Sequence, residues 1–227
     1  MRSLVRVGAM VHIALVIGCA PPRATSAPPV ETGELPVATD SLARALLIDV
    51  RDVDTTIRVE LRYATSNNFT GAPLPGYGAN RALLQREAAQ ALARVARDLR
   101  PHGLVLLVFD AYRPVRATET MMRWTQRVGR ADLVRDGYIA KRSRHNLGAA
   151  IDLTLVDTTT GMPLDMGTPF DTFSAAAHTA NAVGAVSGNR KRLVAAMERR
   201  GFVNYDKEWW HFSYPVTREV RMDLVVQ

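Results

Sequence analysis

The sequence predicts a single α+β domain with a central, largely antiparallel sheet flanked by helices. Segments with helical and with strand periodicity follow one another without the regular βαβ repeat of α/β folds. Residues 41–227 have the length of one domain, and neither a linker nor an internal repeat divides them. Since 47% of the residues are hydrophobic, the chain can bury a sizeable core.

The N-terminal segment predicts export and a membrane anchor. Residues 1–18 form a predicted signal peptide whose apolar run, Val7 to Ile17, is shorter than the about 20 residues of a spanning helix. The run ends in Val16-Ile17-Gly18-Cys19, which resembles the lipobox of bacterial lipoproteins. Cys19 is therefore the predicted lipidation site; the alternative is an ordinary secretory signal with an incidental cysteine. Residues 19–40, rich in Pro, Ala and Thr, predict a lipid-anchored flexible tether.

The charge of the chain permits several classes of partner. A formal net charge of +7 and a pI near 10.1 would suit anionic partners such as nucleic acid or cell-wall polymers. However, the arginines lie beside acidic residues, as in Arg86-Glu87 and Glu198-Arg199, which favours a solvated surface. Export to the periplasm also makes nucleic acid a poor partner. Because Cys19 is the single cysteine, a disulfide and a closed thiolate zinc site are both excluded.

The first half of the domain predicts a strand, a helix and a second strand. Thr56–Tyr63 alternates apolar and polar residues, as in a strand with one solvent-facing side. An irregular loop of functional length follows over 65–80. Asn80 can cap a helix over 81–100, whose apolar residues share one face. The continuous apolar run over 103–109 is typical of a central strand.

The second half of the domain continues this mixture of elements. Pro114 suits the first turn of a helix that runs to about Val128. The remaining predicted elements are a strand over 150–156, a turn at 161–163, a loop over 165–173, a helix over 187–200 and a last strand over 209–214.

Two imidazoles and one carboxylate form a candidate metal site. His145 and Asp152 lie in one segment, and His211 ends the sequence Glu208-Trp209-Trp210-His211. Three protein ligands that leave a fourth position to water are the pattern of a catalytic zinc site. Each residue alone has an ordinary interpretation, such as a hydrogen-bonded histidine or an aspartate paired with an arginine. Their combination predicts metal-assisted hydrolysis.

The spacing of these residues requires two changes of chain direction. His145 and Asp152 are seven residues apart, so a bend is needed, and residues 146–148 can provide it. Glu208 and His211 are three residues apart, and in a regular strand they would face opposite sides. A twist, a bulge or a turn at the two intervening tryptophans is therefore required if both are to face the metal.

Glu208 and Arg113 are the candidate catalytic residues. Amide hydrolysis needs a base for the attacking water and an acid for the leaving amine, and one glutamate can serve as both. Arg113 lies between an apolar strand and a helix, where a fixed guanidinium can stabilise negative charge on the carbonyl oxygen. The alternatives are core tryptophans with incidental polar neighbours, and an Arg113 that simply pairs with Asp110.

Five ordered motifs show a resemblance to the zinc D-alanyl-D-alanine dipeptidases, the VanX-like peptidases. They extend through most of the mature domain and are together far more specific than any one of them. The broader clan, which includes D,D-carboxypeptidases and hedgehog-type domains, shares only the ligand spacing and the Glu-x-x-His element. The motifs are Leu61–Thr65 with Asn68–Gly71, Phe109–Pro114, Ser143–Leu155, Leu164–Asp171 and Tyr205–Phe212.

The resemblance implies a hedgehog- and D,D-peptidase-like fold with one zinc ion per chain on the central sheet. It also implies roles for individual residues. These are zinc binding by His145, Asp152 and His211, general base and acid catalysis by Glu208, transition-state stabilisation by Arg113, binding of the substrate ammonium by Asp171, and lining of the substrate pocket by Tyr63, Tyr77 and Ser143. An aspartate in a loop is otherwise most often a turn or cap residue.

The activity that the resemblance implies is zinc-dependent hydrolysis of the dipeptide D-Ala-D-Ala to free D-alanine. Because an exported enzyme cannot reach the cytoplasmic pool of this dipeptide, we expect it to act outside the inner membrane, in cell-wall turnover or nutrition. Two alternatives stay open: a D,D-carboxypeptidase that trims muropeptide stems, and a non-catalytic lipoprotein that binds zinc and cell wall. The second would need neither Glu208 nor Arg113, and the chain has both.

Cys19→Ala should abolish the lipid anchor, because acylation needs this thiol. Cell fractionation followed by immunoblotting should find the native protein with the membranes and the Cys19→Ala protein in the soluble fraction. Ser26→Ala, a change within the predicted tether, is the matched control and should stay with the membranes. A Cys19→Ala protein that still sediments with membranes would contradict the lipobox interpretation.

Overall fold

The computed structural model describes residues 35–227. The predicted signal peptide, Cys19 and most of the predicted tether lie outside the described residues. The last residues of that tether belong to the fold, since Val37 forms a β-bridge with Arg221 and the hydroxyl of Thr39 caps the first helix. The folded domain therefore begins a few residues before the predicted boundary at 41.

Helices and strands are mixed along the described chain. The helices are α1 (Asp40–Leu46), α2 (Arg86–Leu99), α3 (Val115–Arg127), α4 (Asp132–Arg135) and α5 (Gly184–Glu198). The strands are β1 (Leu47–Asp49), β2 (Arg58–Val59), β3 (Leu83–Gln85), β4 (Leu104–Asp110), β5 (Ala150–Asp157), β6 (Val203–Asn204) and β7 (His211–Ser213). Within residues 35–227, no helix has the length and apolar character that a membrane crossing requires.

The predicted central, largely antiparallel sheet is confirmed. Its strand order is β2-β4-β5-β7-β6, in which β2 and β4 run parallel and the other neighbours run antiparallel. Every residue of β4 is buried, as its continuous apolar run predicts. Strands β1 and β3 form a separate antiparallel pair. Helix α2 buries a face rich in alanine and leucine and packs against β4 and α5.

Helix α2 begins later than predicted, and Asn80 does not cap it. Residues 83–85 pair with β1 as strand β3, so the helix starts at Arg86. The side chain of Asn80 instead accepts a hydrogen bond from the Leu61 backbone nitrogen and donates one to the Val59 carbonyl, both at 2.9 Å. It therefore fixes the segment that follows β2, a long-range role that the local capping pattern does not reveal.

The predicted strand over 56–63 is shorter in the structure. Arg58 and Val59 pair with β4, and the chain then enters a 3-10 turn over Arg62–Ala64. The alternating pattern nevertheless persists, because Ile57 and Leu61 still face the core. Burial therefore accounts for the periodicity, whereas the strand pairing covers only part of it.

Gly148 joins the turn that carries His145 to strand β5. Its backbone is left-handed, with φ of 62°, a conformation that glycine adopts without steric strain. A side chain at this position would place Cβ 2.5 Å from Cδ2 of Leu47 and 3.2 Å from the backbone nitrogen of Gln85. That nitrogen donates a hydrogen bond to the Gly148 carbonyl at 2.9 Å. The bend predicted over 146–148 therefore depends on a residue without a side chain.

Gly148→Ala should lower the free energy of unfolding by about 2–4 kcal/mol, because it adds overpacking to left-handed backbone strain. Gly129→Ala is the matched control, since Gly129 has a φ of 72° but no atom within 4 Å of an added Cβ. Its free energy of unfolding should fall by only about 1–2 kcal/mol, the cost of the left-handed backbone strain. Urea unfolding monitored by circular dichroism measures both values, and equal losses would show that the close contact has no cost.

Candidate metal centre and active-site cavity

Three side chains from separate parts of the chain converge on one point. His145 lies on a 3-10 turn over Arg144–Leu147, Asp152 lies on β5, and His211 is the first residue of β7. The register of β5 and β7 places Asp152 directly opposite His211. Nδ1 of His211 lies 2.9 Å from Oδ1 of Asp152 and 3.2 Å from Nε2 of His145. One ligand atom from each residue lies within 4.8 Å of the others, so together they can hold a metal ion.

The protonation of these side chains also suits a metal ion. Nδ1 of His145 lies 2.6 Å from the carbonyl oxygen of Ala111, which can only accept a hydrogen bond, so Nδ1–H is the donor and Nε2 keeps its lone pair for a ligand. Burial disfavours the charge of Asp152, but His145 and His211 outweigh it and hold its pKa below the usual range. Burial lowers the pKa of His211 and favours its neutral ring. Neutral imidazoles and an ionised carboxylate are ligands that zinc accepts.

Glu208 lies beside this triad. The two tryptophans that separate it from His211 form a turn, in which the His211 backbone nitrogen donates to the Glu208 carbonyl at 3.2 Å. Oε2 of Glu208 consequently lies 3.9 Å from Nδ1 of His211. Burial, together with the charges of Asp152 and Asp171, raises the pKa of Glu208 well above its usual value. A raised pKa makes the ionised carboxylate a stronger base for a proton from a neighbouring group.

Arg113 is held rigidly at the end of β4. Its Nη2 and Nε donate to the same carboxylate oxygen of Asp110, at 2.8 and 3.0 Å. Its Nη2 also lies 3.8 Å from Oδ2 of Asp152, and the side chain lines the cavity around the triad. The ion pair with Asp110, which the sequence left as an alternative, is therefore present and fixes the guanidinium beside the candidate metal ligands.

The structure corrects the predicted position of Tyr77. This residue was expected on the wall of the substrate pocket, but it is not among the described residues that line the cavity. Its hydroxyl donates to Oδ1 of Asp110 at 2.6 Å, behind the ion pair with Arg113. The fully buried carboxylate of Asp110 needs more than one donor, and Tyr77 supplies the second.

Asp171 and Tyr63 line the cavity and contact each other. The hydroxyl of Tyr63 donates to Oδ1 of Asp171 at 3.0 Å, whereas Oδ2 is buried without a hydrogen-bond partner in the described part of the chain. Burial and the charge of Asp152 raise the pKa of Asp171 to about 8. Asp171 also has a φ of 62°, which few residues other than glycine adopt. One carboxyl oxygen thus has an unused capacity to accept hydrogen bonds from the described residues.

The cavity around the triad is small, with a volume of about 260 Å³. Ser143 lines it as predicted, and its hydroxyl accepts a hydrogen bond from the backbone nitrogen of His145 at 3.3 Å. Tyr138 and Tyr205 also line it. Tyr205 begins one of the five sequence motifs, but the sequence assigned it no role, and no sequence feature pointed to Tyr138. The hydroxyl of Tyr205 donates to the Gly137 carbonyl at 3.2 Å and thereby connects the two loops that carry these tyrosines.

Comparison with known protein families identifies the family of this chain. The family model Peptidase_M15, described as D-ala-D-ala dipeptidase, matches residues 43–221. The chain belongs to this family. The resemblance that the five sequence motifs indicated is therefore confirmed, and membership of the dipeptidase family supports peptidase activity.

Curated relatives agree with this assignment. A D-alanyl-D-alanine dipeptidase of Streptomyces coelicolor is 36% identical over 179 residues, which cover 72% of this chain and 89% of the relative. One of Enterococcus faecium is 36% identical over 171 residues, covering 69% and 85%. One of Escherichia coli is 37% identical over 171 residues, covering 74% and 84%.

Two solved structures that align with this chain share less of its sequence than these relatives do. The LdcB LD-carboxypeptidase aligns with a TM-score of 0.42 and 18% identity, over 58% of this chain and 59% of that chain. The vancomycin resistance D,D-pentapeptidase VanY aligns with a TM-score of 0.37 and 16% identity, over 61% and 76%.

Two groups support the site from behind: one of them, the Ala111 carbonyl, emerges only from the structure, whereas the sequence had already offered the pairing of Asp110 with Arg113 as an alternative. The Ala111 carbonyl orients the ring of His145, and Asp110 holds Arg113. The sequence motif Phe109–Pro114 contains both groups, but it does not reveal that they act behind the cavity. Backbone carbonyls in particular have no sequence signal, because every residue has one.

His211→Ala should remove stoichiometric zinc, because it leaves two ligands where a stable site needs at least three. His178→Ala is the matched control: its imidazole contacts the Tyr138 hydroxyl at 2.9 Å and lies outside the triad. Metal analysis after dialysis should find about one zinc ion per chain in the His178→Ala protein and almost none in the His211→Ala protein. Full zinc occupancy in the His211→Ala protein would exclude this residue from the ligand set.

Proposed function

We propose that this protein hydrolyses the free dipeptide D-Ala-D-Ala to two molecules of D-alanine, with one zinc ion held by His145, Asp152 and His211. The observation that carries the proposal is the grouping of Glu208 and Arg113 around this triad in one small cavity. The names of the curated relatives support the substrate. A protein that only binds zinc and cell wall would need neither of the two additional side chains.

The roles of the protein's own residues follow from their positions. A zinc ion held by the triad would supply Lewis acidity, which makes water nucleophilic at neutral pH and polarises an amide carbonyl. Glu208 takes the proton from the attacking water and delivers it to the leaving amine, a transfer that its raised pKa favours. Arg113, fixed by Asp110, donates hydrogen bonds to the carbonyl oxygen as negative charge develops on it.

Asp171 selects a free amino terminus. Its unpartnered Oδ2 can accept a hydrogen bond from the substrate ammonium, and this positive charge would favour the ionised carboxylate despite its burial. Tyr63 holds the other oxygen of Asp171 in place. The cavity of about 260 Å³ is smaller than the about 300–1,000 Å³ of sites for drug-sized ligands, which suits a dipeptide.

One observation favours a second candidate function, D,D-carboxypeptidase activity on muropeptide stems. A larger cavity, of about 650 Å³, lies next to the cavity that surrounds the triad. Phe69 and Asp171 belong to the walls of both cavities. A substrate that continued beyond the D-Ala-D-Ala unit on its amino side could extend past Asp171 into this second space.

The place of action is part of the proposal. The signal peptide, the lipobox ending at Cys19 and the tether support an exported lipoprotein that faces the periplasm. Its substrate would then be D-Ala-D-Ala released outside the inner membrane, and its role cell-wall turnover or nutrition. The proposed partners are the dipeptide and, through the lipid, the membrane; nucleic acid is not among them.

Glu208→Gln should keep zinc but lose turnover of D-Ala-D-Ala by about 10²–10⁴-fold, because an amide cannot carry the proton. A colorimetric assay of released D-alanine measures the rate, and metal analysis measures zinc. The matched control is Glu198→Gln, an exposed change on α5 that should leave the rate unaltered. Turnover by the Glu208→Gln protein at the native rate would refute the assignment of the base.

A further inference from the structure

The proposed ammonium site lies on a long irregular segment. Asp171 belongs to the connection between β5, which ends at Asp157, and α5, which begins at Gly184. Within this connection the regular structure consists of short 3-10 turns over Ala175–Ala177 and Thr179–Asn181. A binding group on such a segment needs support from the rest of the protein, since small displacements weaken recognition strongly.

Arg190 supplies this support from the buried side of α5. Its Nε and Nη2 donate to the Met166 carbonyl at 2.8 and 2.6 Å. Its Nη1 donates to the His178 carbonyl at 2.7 Å, and Nη2 also donates to the Ala176 carbonyl at 3.0 Å. One guanidinium therefore connects the backbone before Asp171 with the backbone after it.

The chemistry of this contact is specific to arginine. Arg190 has 2% of its surface exposed, and no carboxylate within residues 35–227 forms an ion pair with it. Burial lowers its pKa, and the four hydrogen bonds to carbonyl oxygens replace the lost hydration. A lysine could keep the charge, but its compact ammonium lacks the planar fork that reaches three carbonyls at once.

Two further residues support the same segment with three hydrogen bonds. Trp209, the neighbour of Glu208, donates two hydrogen bonds to the segment: its backbone nitrogen to the Ala177 carbonyl at 3.1 Å, and its Nε1 to the Thr168 hydroxyl at 2.9 Å. Asn189, next to Arg190 on α5, donates to the Asp165 carbonyl at 2.9 Å. The segment that carries Asp171 is thus bound both to α5 and to the turn of the candidate base.

We propose that Arg190 is a positioning residue for the ammonium site: by holding the backbone on both sides of Asp171, it sets the affinity for the free amino end of the substrate. This inference rests on the proposed function, in which Asp171 binds that ammonium. Arg190 itself is not among the described residues that line the cavity, and it is not one of the candidate metal ligands.

The test compares steady-state kinetics of the zinc-loaded full-length chain and its Arg190→Lys variant on D-Ala-D-Ala. The KM should rise about 10-fold, while kcat changes less than about 3-fold and zinc stays at one ion per chain. Arg200→Lys is the matched control, because Arg200 forms two 2.7 Å bonds with Asp98 and does not contact the segment. Its KM should equal that of the native protein.

A double substitution separates positioning from a general loss of stability. If Arg190 acts through Asp171, adding Arg190→Lys to Asp171→Asn should raise KM by less than about 2-fold over Asp171→Asn alone. Should Arg190→Lys fail to fold, Asn189→Ala, which removes one exposed hydrogen bond to the same segment, should raise KM about 2- to 3-fold.

The outcomes distinguish the two proposals. If the native protein does not hydrolyse D-Ala-D-Ala, the proposed function fails and this inference fails with it. If the native protein is active but Arg190→Lys, or Asn189→Ala in its place, keeps the native KM, the inference alone is overturned. If the increases in KM caused by Arg190→Lys and Asp171→Asn multiply fully in the double variant, the inference is overturned as well. Arg190 would then affect KM independently of Asp171.

Discussion

The pairing of Asp152 with His211 across strands β5 and β7 is the contact on which the rest of the site depends. The register of the two strands alone brings a carboxylate and an imidazole together, without help from a loop. His145 completes the triad only because Gly148 turns the chain tightly onto β5 and the Ala111 carbonyl fixes the imidazole ring. Rigid sheet geometry therefore positions two ligands, and one short turn positions the third.

Electrostatics in the cavity follow from this arrangement. Burial raises the pKa values of Asp110, Asp171 and Glu208, whereas the neighbouring histidines keep that of Asp152 low. Buried carboxyl groups are stable only when cations or hydrogen bonds compensate them, and Arg113 is bound to Asp110. A divalent cation in the triad would favour the ionised forms of the remaining groups, which makes metal binding and substrate binding interdependent.

The sequence predicted the central elements and the candidate ligands, because these have strong local signals. The uninterrupted apolar run of β4 and the Glu-x-x-His spacing are examples. It mispredicted Tyr77 and Asn80, whose hydrogen bonds join distant segments. It gave no signal for Arg190. In the sequence this residue looks like any solvent-exposed arginine on a helix, and only the structure shows the carbonyl groups that surround it. Long-range polar contacts are the part of the structure that local sequence patterns do not predict.

The most direct test of the account is to incubate the zinc-loaded protein with free D-Ala-D-Ala and, separately, with a muropeptide that ends in the same pair. Released D-alanine is measured in each reaction. The small cavity and the carboxyl oxygen of Asp171 predict rapid hydrolysis of the free dipeptide and little release from the muropeptide. Release of D-alanine from the muropeptide, with the free dipeptide left intact, would contradict the account and favour a carboxypeptidase.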